Sequence, residues 1–453
     1  MKFTKFGKAL LMSALSAGVV LSITSCVQSY SVGFLYVTST VTAKPDADGI
    51  ITGFKIDHNT GKLTQINGLP VSSGGANPVR AILLNGSRFL YVLNRGYNAA
   101  GTACTGTGSE ACSNANITQF AVGGNGVLTP QESFPTQGLN PFRIIADASG
   151  NYIYVLDHDA PLDSGSNSTQ ACLNAFATST CGDITAYQVN QTTGRLQLVV
   201  NAQVTSANCS TSSASCPLPY FPVPANPIDF VLSSSTILTV SGTPATGDSV
   251  FPYSYNGGNG QLTISQNTSQ PLNIKQATAI IAGSTYLYVL DNEPVYVNGA
   301  VASQSQIVPY SIGTSGALQA AGSGPVPDDA TQSNPIFMLL ESKGKHIYLA
   351  NQGNNDTSTA TSQNGITGYV LVTSPYSLTE MPGLPFTTGS GPQCMVEDPS
   401  NQFIYTANFN DSTVTGRLMD QNTGDLTPLR VTNGGTYPLT GPASWCLVDG
   451  RTS

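Results

Sequence analysis

Charged side chains and histidine are scarce in this chain. Of its 453 residues only 9% are Asp, Glu, Lys or Arg, and there are three His and one Trp. Acidic residues outnumber basic ones by 25 to 17, which gives a net charge of −8. Proteins bind nucleic acid mainly through Lys and Arg, so this balance argues against a nucleic-acid partner.

Long apolar runs are also missing, except at the N-terminus. Three lysines precede an apolar stretch from residue 9 to residue 23, and the tetrapeptide ITSC that ends at Cys26 matches the bacterial lipobox. We therefore expect a lipoprotein signal peptide at residues 1–25, lipidation of Cys26 and a short tether at residues 26–33. An ordinary secretory signal with a chance cysteine is the alternative.

The rest of the chain has the properties of an extracytoplasmic protein. Removal of residues 1–25 takes three lysines and no acid, which leaves 14 basic against 25 acidic residues and a net charge of −11. No later segment approaches the roughly 20 apolar residues of a membrane span. We expect a monomer that is lipid-anchored in the bacterial cell envelope, in the periplasm or at the outer membrane; Val27 after the lipid cysteine is compatible with outer-membrane sorting.

The cysteine pattern predicts disulfides. Beyond Cys26 there are eight cysteines and no CxxC motif, which favours disulfides in an oxidising compartment over a zinc site. Three pairs are neighbours in sequence, and the fourth follows by elimination. The predicted pairs are Cys104 with Cys112, Cys172 with Cys181, Cys209 with Cys216, and Cys394 with Cys446.

One β-hairpin is repeated along the chain. The copy at residues 140–157, NPFRIIADASGNYIYVLD, consists of an apolar strand, a polar turn and a second strand. Further copies begin at Asn77, Asn226, Gln276, Asn334 and Gly391, and a seventh is divided between FLYV at residues 34–37 and GPASWCLVDG at residues 441–450. The second strands recur at intervals of 49 to 85 residues, which suits one propeller blade with variable loops.

Each copy is followed by a second hairpin. Short strands such as IITGF, NITQF and DITAY precede turns such as DHNTGK, NQTTGR and DQNTGD, whose glycines supply the positive φ angles of tight turns. Four strands in each of seven units predict an all-β, seven-bladed β-propeller over residues 34–450. The C-terminal strand would join the N-terminal blade and close the ring, which removes exposed sheet edges.

Loop lengths distinguish the two faces of the predicted propeller. Turns within each hairpin are short, whereas the long insertions connect the second strand to the third or the outer strand to the next blade. They comprise residues 96–114, 159–182, 206–225, 292–305 and 352–364, and contain the three local cysteine pairs. Elaborated loops on one face of a regular scaffold usually carry the function.

Polar residues at the ends of the inner two strands of each blade form a candidate site on that face, around the mouth of the channel. They are Arg80, Asn94, Arg95, Arg143, Asp157, His158, Asp159, Asp229, Asp291, Glu293, Asn351 and Asn408. Turn capping is the alternative role for the Asn and Asp residues. Arg80 and Arg143 occupy matching positions two residues after a proline, where a desolvated guanidinium would bind an anion.

His158 lies between two carboxylates, in the sequence DHDAP, and is a candidate general base. A solvated loop histidine is the alternative. Asp157, Asp159 and Asp163 have a spacing that permits calcium, but the glycine and the final glutamate of an EF-hand loop are missing, so we expect no metal and no cofactor. We expect structural roles for His58 and His346, which lie in a turn and at a strand start.

These blade motifs, NP before an apolar strand, then LYV, N, an I-x-x-F strand and a TG-L turn, resemble the bacterial lactonase family of seven-bladed propellers, which includes the propeller type of 6-phosphogluconolactonase. The resemblance covers residues 34–450 and implies hydrolysis of a lactone ester at the channel mouth. It implies that Arg80 and Arg143 bind a carboxylate or phosphate and stabilise the oxyanion, and that His158 or Asp157 activates water.

A second function remains open. Members of this family often carry a histidine directly after the blade-opening proline, where this chain has Val79, Phe142, Ile228 and Ile336. The alternative is therefore a non-catalytic envelope propeller that binds a carbohydrate or a protein through its disulfide-linked loops. Such a binding face would expose aromatic residues such as Tyr97, Phe176 and Tyr220.

Overall fold

The computed structural model describes residues 30–450, except 42–43, 45, 85–87, 99, 101–103, 105–111, 113, 164–167, 207–215, 235, 244, 265–268 and 354–362. The chain forms seven antiparallel sheets arranged as the blades of a propeller, and the fold predicted from the repeats is confirmed. The first strand begins at Ser31. The predicted signal peptide and the lipidated Cys26 lie outside the described residues.

The first four blades contain the following elements. Blade 1 has β1 (Ser31–Ser39), β2 (Asp48–Asp57), β3 (Leu63–Gln65) and β4 (Val71–Ala76). Blade 2 has β5 (Pro78–Leu83), β6 (Phe89–Asn94), β7 (Asn116–Val122) and β8 (Leu128–Pro135). Blade 3 has β9 (Pro141–Ala146), β10 (Tyr152–Asp157), the helix α1 (Gln170–Phe176), β11 (Gly182–Val189), β12 (Leu196–Leu198), a hairpin of β13 (Asn201–Ser206) and β14 (Cys216–Leu218), and β15 (Phe221–Val223). Blade 4 has β16 (Pro227–Ser233), β17 (Thr236–Thr243), β18 (Gly247–Tyr255), β19 (Leu262–Ile264) and β20 (Gln270–Pro271).

The last three blades follow the same plan. Blade 5 has β21 (Ala277–Ala282), β22 (Tyr286–Asp291), a hairpin of β23 (Val295–Val297) and β24 (Ala300–Ser303), β25 (Gln306–Ile312), a 3-10 turn (Thr314–Gly316), β26 (Leu318–Ala320) and β27 (Val326–Pro327). Blade 6 has β28 (Pro335–Leu340), β29 (His346–Asn351), β30 (Gly365–Thr373) and β31 (Tyr376–Glu380). Blade 7 has β32 (Pro392–Glu397), β33 (Phe403–Asn408), β34 (Thr413–Met419), β35 (Leu426–Pro428) and β36 (Thr436–Pro438). The last strand is β37 (Ala443–Asp449).

The C-terminal strand closes the ring, as the divided seventh repeat predicts. β37 pairs antiparallel with β1, and Leu447 lies opposite Tyr36. It thereby becomes the inner strand of blade 1, in the sheet order β3-β2-β1-β37. The seven inner strands, β37, β5, β9, β16, β21, β28 and β32, contact one another in sequence around the central channel.

A repeated tyrosine joins neighbouring blades. In five blades the tyrosine of the second strand is buried, and its hydroxyl donates to the carbonyl of a glycine in the outer turn of the next blade. The pairs are Tyr36 with Gly126, Tyr91 with Gly194, Tyr154 with Gly260, Tyr348 with Gly424 and Tyr405 with Gly61, at oxygen–oxygen distances of 2.5 to 3.3 Å. Buried tyrosine hydroxyls require such partners. The tyrosine of the LYV motif and the glycine of the TG motif therefore form the contact between neighbouring blades.

The turn glycines are required at this contact. Gly61 has a φ of 66°, and a Cβ there would lie 2.5 Å from a ring carbon of Phe403 in the preceding blade. Positive φ is costly for residues with a Cβ, and the aromatic ring leaves no space for one. The last pair, Tyr405 with Gly61, spans the junction between blade 7 and blade 1.

Three of the four predicted disulfides are present. They join Cys104 with Cys112, Cys172 with Cys181, and Cys394 with Cys446. The last one links the inner strands β32 and β37 beside the ring closure. Cys209 lies outside the described residues, and with it the predicted pair of Cys209 and Cys216. The disulfides indicate an oxidising, extracytoplasmic compartment.

The inner strands begin, and the second strands end, at the face that carries the long connections, here called the loop face. Both two-stranded hairpins and α1 belong to insertions on this face. Among the described residues, none of the helices is long and apolar enough to cross a membrane.

Candidate functional site

All seven inner strands contain a β-bulge at their second residue, close to the loop face. The bulged residues are Val79, Phe142, Ile228, Thr278, Ile336, Gln393 and Ser444. A bulge breaks the alternation of side chains and often re-aims one beside a functional site. Six of these seven residues line a cavity at the channel mouth, as do four of the residues that follow them.

A second ring of seven positions, one in each blade, surrounds the ring formed by the bulged residues. A residue at or just after the end of each second strand donates its backbone N–H to the carbonyl of the residue before the inner strand of the same blade; in blade 4 the donor lies within β17. These positions are Thr40, Arg95, His158, Gly242, Asn292, Gln352 and Phe409. In three blades the accepting residue is the asparagine of the NP motif with a φ between 52° and 56°, a backbone conformation that asparagine tolerates. The NP motif therefore shapes the rim of the cavity.

The cavity between these two rings has a volume of roughly 380 Å³. It is lined by Thr40, Asn77, Val79, Arg80, Arg95, Phe142, Arg143, Thr278, Ile336, Phe337, Gln352, Gln393, Phe409, Ser444 and Trp445. Three of these residues are arginines, four are aromatic, and most of the others carry an amide or a hydroxyl group. This combination suits an anion with a hydroxylated body.

Arg143 is held in place by a carboxylate from the next blade. Its Nε donates to Asp229 Oδ1 at 2.9 Å, and its Nη1 donates to the carbonyl of Phe142 at 3.3 Å. Asp229 is buried and accepts further bonds from the backbone N–H groups of Phe230 and Ile280. The predicted site residue Asp229 thus orients Arg143 and neutralises its charge.

Arg80 has no such counter-ion. Its guanidinium carbon lies 3.7 Å from the centroid of the Trp445 ring, and it donates no hydrogen bond to any residue that the structure describes. Burial is the main cause that lowers the pKa of Arg80 well below its usual value; the charge of Arg143 acts in the same direction and Asp229 opposes it. Arginine nevertheless stays protonated, so the cavity contains a half-buried cation that an anionic ligand would stabilise.

Arg95 adds a third positive charge at the rim. Its Nε donates to Asn140 Oδ1 at 2.5 Å, and its guanidinium carbon lies 5.6 Å from the centroid of Phe142. The guanidinium carbon of Arg143 lies 5.0 Å from the same centroid. Phe142 is therefore flanked by two cations, and the three arginines with Asp229 give the site a net charge of +2.

His158 occupies a rim position but does not line the cavity. Its Nδ1 lies 3.0 Å from Asp159 Oδ2, its side chain is 11% exposed, and its ring centroid lies 6.3 Å from that of Phe142. Phe142, which does line the cavity, is thus its aromatic neighbour. His158 is thus paired with a neighbouring carboxylate, and among the described residues it forms no hydrogen bond with Arg80 or Arg143.

Asp157 is fully buried within blade 3, and this placement contradicts its predicted position at the channel mouth. It lies opposite Asp183 on the neighbouring strand, and neither of its carboxylate oxygens accepts a well-formed hydrogen bond from a described residue. Burial, with Asp183, raises the pKa of Asp157 well above its usual value, while Arg95 opposes the rise. Burial likewise raises the pKa of Asp183. Asp157 is not among the residues that line the cavity, so it is poorly placed to act as a general base there.

The terminal residues of the other second strands are structural. Asn94, Asn351 and Asn408 are fully buried and donate to hydroxyls of their own blades, Asn408 to Thr413 and Thr415 among them. Two acidic residues in blade 5 also accept hydrogen bonds from neighbouring residues. Asp291 is buried and accepts from Gln306, and Glu293 accepts from the backbone of Lys275. None of these predicted binding residues lines the cavity, and the asparagines instead join neighbouring strands within their own blades.

The remaining candidates have structural partners. Asp163 accepts from the backbone N–H of Gln170 at the start of α1, and the described residues contain no group of three or more His, Cys, Asp or Glu side chains arranged to hold a metal ion. His58 stacks on Tyr30, and His346 is buried beside Glu341. Both histidines therefore have the structural surroundings that the sequence predicts.

The aromatic residues that a loop-face binding module would expose are largely covered. Tyr220 is buried, and Phe176 and Tyr97 are half-buried, with the Tyr97 hydroxyl accepting a bond from Asn114. The aromatic surface of the site comes instead from three inner-strand residues and one rim residue, which are Phe142, Phe337, Trp445 and Phe409. The sequence analysis missed the last three, although the second and third residues of each inner strand would have identified two of them.

The comparisons with known proteins agree with this architecture. Residues 46–162 match the family described as lactonase, 7-bladed beta-propeller. No curated protein matches the sequence. Among solved structures, the chain is similar to a candidate 6-phosphogluconolactonase from Bacteroides fragilis, at 14% identity and a TM-score of 0.62, over 94% of this chain and 99% of that one.

Two further structures have the same fold. A candidate 6-phosphogluconolactonase from Bacteroides uniformis has 13% identity and a TM-score of 0.63, over 92% of this chain and 99% of that one. A periplasmic gluconolactonase from Pseudomonas aeruginosa has 14% identity and a TM-score of 0.62, over 93% and 99%. The resemblance to seven-bladed lactonase propellers that the blade motifs predict is confirmed.

Proposed function

We propose that this lactonase-type propeller hydrolyses an anionic sugar lactone in the cavity at its channel mouth. The proposal rests on the surroundings of Arg80. This residue lies over Trp445 in a cavity of roughly 380 Å³, and it has no carboxylate partner among the described residues. A cation kept without a counter-ion in a concave, half-apolar site favours a ligand that brings the negative charge. A sugar lactone with a carboxylate or phosphate has that chemistry.

The cavity walls match the rest of such a ligand. The rings of Phe337 and Trp445, whose centroids lie 5.4 Å apart, offer an apolar surface to the C–H face of a sugar. Amides and hydroxyls from Gln352, Gln393 and Ser444 are placed to bond its oxygens. Arg80 or Arg143 would then stabilise the oxyanion that forms when water attacks the ester carbonyl.

In this proposal His158 activates the water. Its Nδ1 faces Asp159, so a proton there would leave Nε2 as the acceptor. Water loses a proton to Nε2 as its oxygen bonds to the ester carbon, the ring C–O bond breaks, and the proton passes to the departing alkoxide. The other residue predicted for this step, Asp157, is buried within blade 3 and is not needed.

The proposed location is the outside of the cytoplasmic membrane. Lipid on Cys26 would anchor the protein in the envelope, and the substrate would be a small molecule of the periplasm or the surroundings. The disulfides support an oxidising compartment, and the apolar N-terminus with its lipobox supports the anchor. Mass spectrometry of the N-terminal peptide, compared between the native chain and Cys26→Ser, tests the lipidation.

The hydrolysis is tested by titrating the acid released from a panel of sugar lactones, with and without a phosphate or carboxylate group, by the full-length protein. We expect turnover of the anionic lactones, a loss of at least tenfold in kcat/KM in Arg80→Met, and a fall in kcat in His158→Gln. Arg195→Met, at an exposed site that pairs with Glu132, is the control and should leave the rate unchanged. No turnover above the buffer rate on any lactone would overturn the proposal.

One observation favours a second candidate function, the binding of an anionic sugar without turnover. No Asp, Glu or His is among the residues that line the cavity in the described part of the chain. Under this alternative the full-length protein binds sugar acids in the micromolar range, and the binding is lost in Arg80→Met, but it releases no acid from any lactone.

A further inference from the structure

Four side-chain amides form a hydrogen-bonded chain, and the last two of them line the cavity. Asn292 Nδ2 donates to Asn334 Oδ1 at 3.4 Å, Asn334 Nδ2 donates to Gln352 Oε1 at 3.3 Å, and Gln352 Nε2 donates to Gln393 Oε1 at 2.7 Å. We call these four residues the amide chain. They come from the adjacent blades 5, 6 and 7, and each amide donates to the next in the same direction.

A backbone carbonyl fixes this direction. Asn334 Nδ2 also lies 3.5 Å from the carbonyl oxygen of Gly353, which can only accept a hydrogen bond. If the Asn334 amide were turned over, its own oxygen would face that carbonyl. The nitrogen of Asn334 therefore points toward Gly353 and Gln352, which makes Gln352 present its oxygen to Asn334 and its nitrogen to Gln393.

The last member of the amide chain faces the cavity with a free donor. Gln393 lines the cavity, its Oε1 is occupied by Gln352, and its Nε2 donates to no residue in the described part of the chain. At the opposite end, Asn292 Oδ1 is buried and has no hydrogen-bond partner among the residues that the structure describes. The orientation of the Asn334 amide therefore determines that Gln393 presents its N–H group, rather than its oxygen, to the cavity.

We propose that Gln393 is a specificity-determining residue that donates a hydrogen bond to a neutral acceptor oxygen of the ligand, and that the amide chain fixes it as a donor. Together with Arg80 it makes the cavity select ligands that carry an anionic group and, on the same small body, a ring or carbonyl oxygen. This inference rests on the anion site proposed above and adds the second recognition point. A bare anion satisfies Arg80 but leaves the Gln393 donor unused.

The test compares two probes by isothermal titration calorimetry of the full-length protein. Inorganic phosphate has only the anionic group, whereas glucose 6-phosphate also has a ring oxygen. We expect glucose 6-phosphate to bind at least tenfold more tightly. Gln393→Met, which removes the amide, should weaken glucose 6-phosphate binding about tenfold and leave phosphate binding unchanged, since a hydrogen bond of about 1.4 kcal/mol corresponds to that factor. Gln393→Glu, of the same shape, should weaken it further.

A second pair of variants tests the amide chain itself. Asn334 has a φ of 52°, so Asn334→Gly removes the side chain without straining the backbone. Asn226→Gly is the matched control, because Asn226 has a φ of 56° and also precedes a proline, but its side chain belongs to no such chain. We expect Asn334→Gly alone to lower the affinity for glucose 6-phosphate, about threefold, with phosphate affinity unchanged in both variants.

The possible outcomes separate the two proposals. Equal losses for both probes in Gln393→Met, or no loss for either, would overturn the role of Gln393 while leaving the anion site intact. Equal effects of Asn334→Gly and Asn226→Gly would overturn the orienting role of the amide chain. Failure of the unmodified protein to bind either probe would overturn the anion site, and the Gln393 inference with it.

Discussion

The guanidinium carbon of Arg80 lies over the indole of Trp445, at 3.7 Å from the ring centroid, and the indole N–H of Trp445 donates to the carbonyl of Ala81 at 3.0 Å. The two residues belong to β5 and β37, the inner strands of blades 2 and 1. The C-terminal strand therefore both closes the ring and supplies the surface that positions Arg80, which has no carboxylate partner among the described residues.

Replacement of Trp445 should weaken anion binding. Trp445→Leu removes the ring beneath Arg80, and a cation–π contact contributes about 0.5 to 2 kcal/mol, so we expect the dissociation constant for phosphate to rise roughly 2- to 30-fold. Calorimetry gives the value. Phe337→Leu is the control, because Phe337 contacts the Trp445 ring and lines the cavity but leaves Trp445 under Arg80. Equal losses in the two variants would contradict the role of the stacking.

Asp229 should limit how strongly the cavity attracts anions. In Asp229→Asn the charge of Arg143 is no longer neutralised, so we expect phosphate to bind several-fold more tightly at low salt, with the gain reduced at high salt. The same change should lower the free energy of unfolding by about 1 to 3 kcal/mol, since Asp229 accepts bonds from Arg143 and from two backbone N–H groups. An unchanged or weaker phosphate affinity would contradict the electrostatic account.

The Asp157 and Asp183 pair should make the protein less stable as the pH rises. Both carboxyls have a pKa raised by burial, so the folded state holds more protons than the unfolded state above about pH 4. The free energy of unfolding should then fall as the pH rises from about 4 toward the raised pKa values, by up to about 1.4 kcal/mol per pH unit for each proton.

Substitution of one member of the pair tests this dependence. Asp183→Asn should flatten the decrease in the free energy of unfolding between pH 4 and neutral pH, measured by urea unfolding at several pH values. Asp420 is an exposed residue whose pKa is lowered, chiefly by the backbone N–H of Thr423. Its pKa shift is therefore opposite in direction to the shifts of Asp157 and Asp183. Asp420→Asn should therefore leave the decrease in place. An undiminished slope in Asp183→Asn would contradict the assignment.

Replacing the glycine at the closure of the ring by alanine should destabilise the protein more than the same replacement in an exposed turn. Gly61→Ala meets both the positive φ and the ring of Phe403, whereas Gly299→Ala in the β23–β24 hairpin has a φ of 82° and no atom within 4 Å of the new Cβ. We expect Gly299→Ala to cost about 1 to 2 kcal/mol from the backbone alone, and Gly61→Ala clearly more. Equal losses of melting temperature would contradict the close packing of blades 7 and 1.

The sequence was sufficient for the fold because the contacts between blades use repeated residues. The tyrosine of LYV and the glycine of the TG turn bond to each other across blade boundaries, as Tyr405 and Gly61 do at the closure. The repeated motifs therefore predict both the strands and the packing of one blade against the next. Arg80 and Arg143 were identified for the same reason, since they hold equivalent positions after the NP motif.

The composition of the site was harder to predict, because side chains on a strand alternate between faces. The last residues of the second strands that were predicted for the site, such as Asn94 and Asn351, are buried within their blades. Of the residues one position later, Arg95 was predicted and lines the cavity, whereas Gln352 also lines the cavity and was not predicted. The bulges of the inner strands and the amide chain depend on spatial neighbours from different blades, which a single sequence does not reveal.

The most direct test of the account is a calorimetric titration of the full-length protein with 6-phosphogluconate, the anionic product that a lactonase site would release, beside Arg80→Met and the surface control Arg195→Met. We expect the unmodified protein and Arg195→Met to bind with the same affinity, and Arg80→Met to bind at least tenfold more weakly, a loss of about 1.4 kcal/mol or more. Undiminished binding by Arg80→Met would contradict the assignment of the channel-mouth cavity as the ligand site.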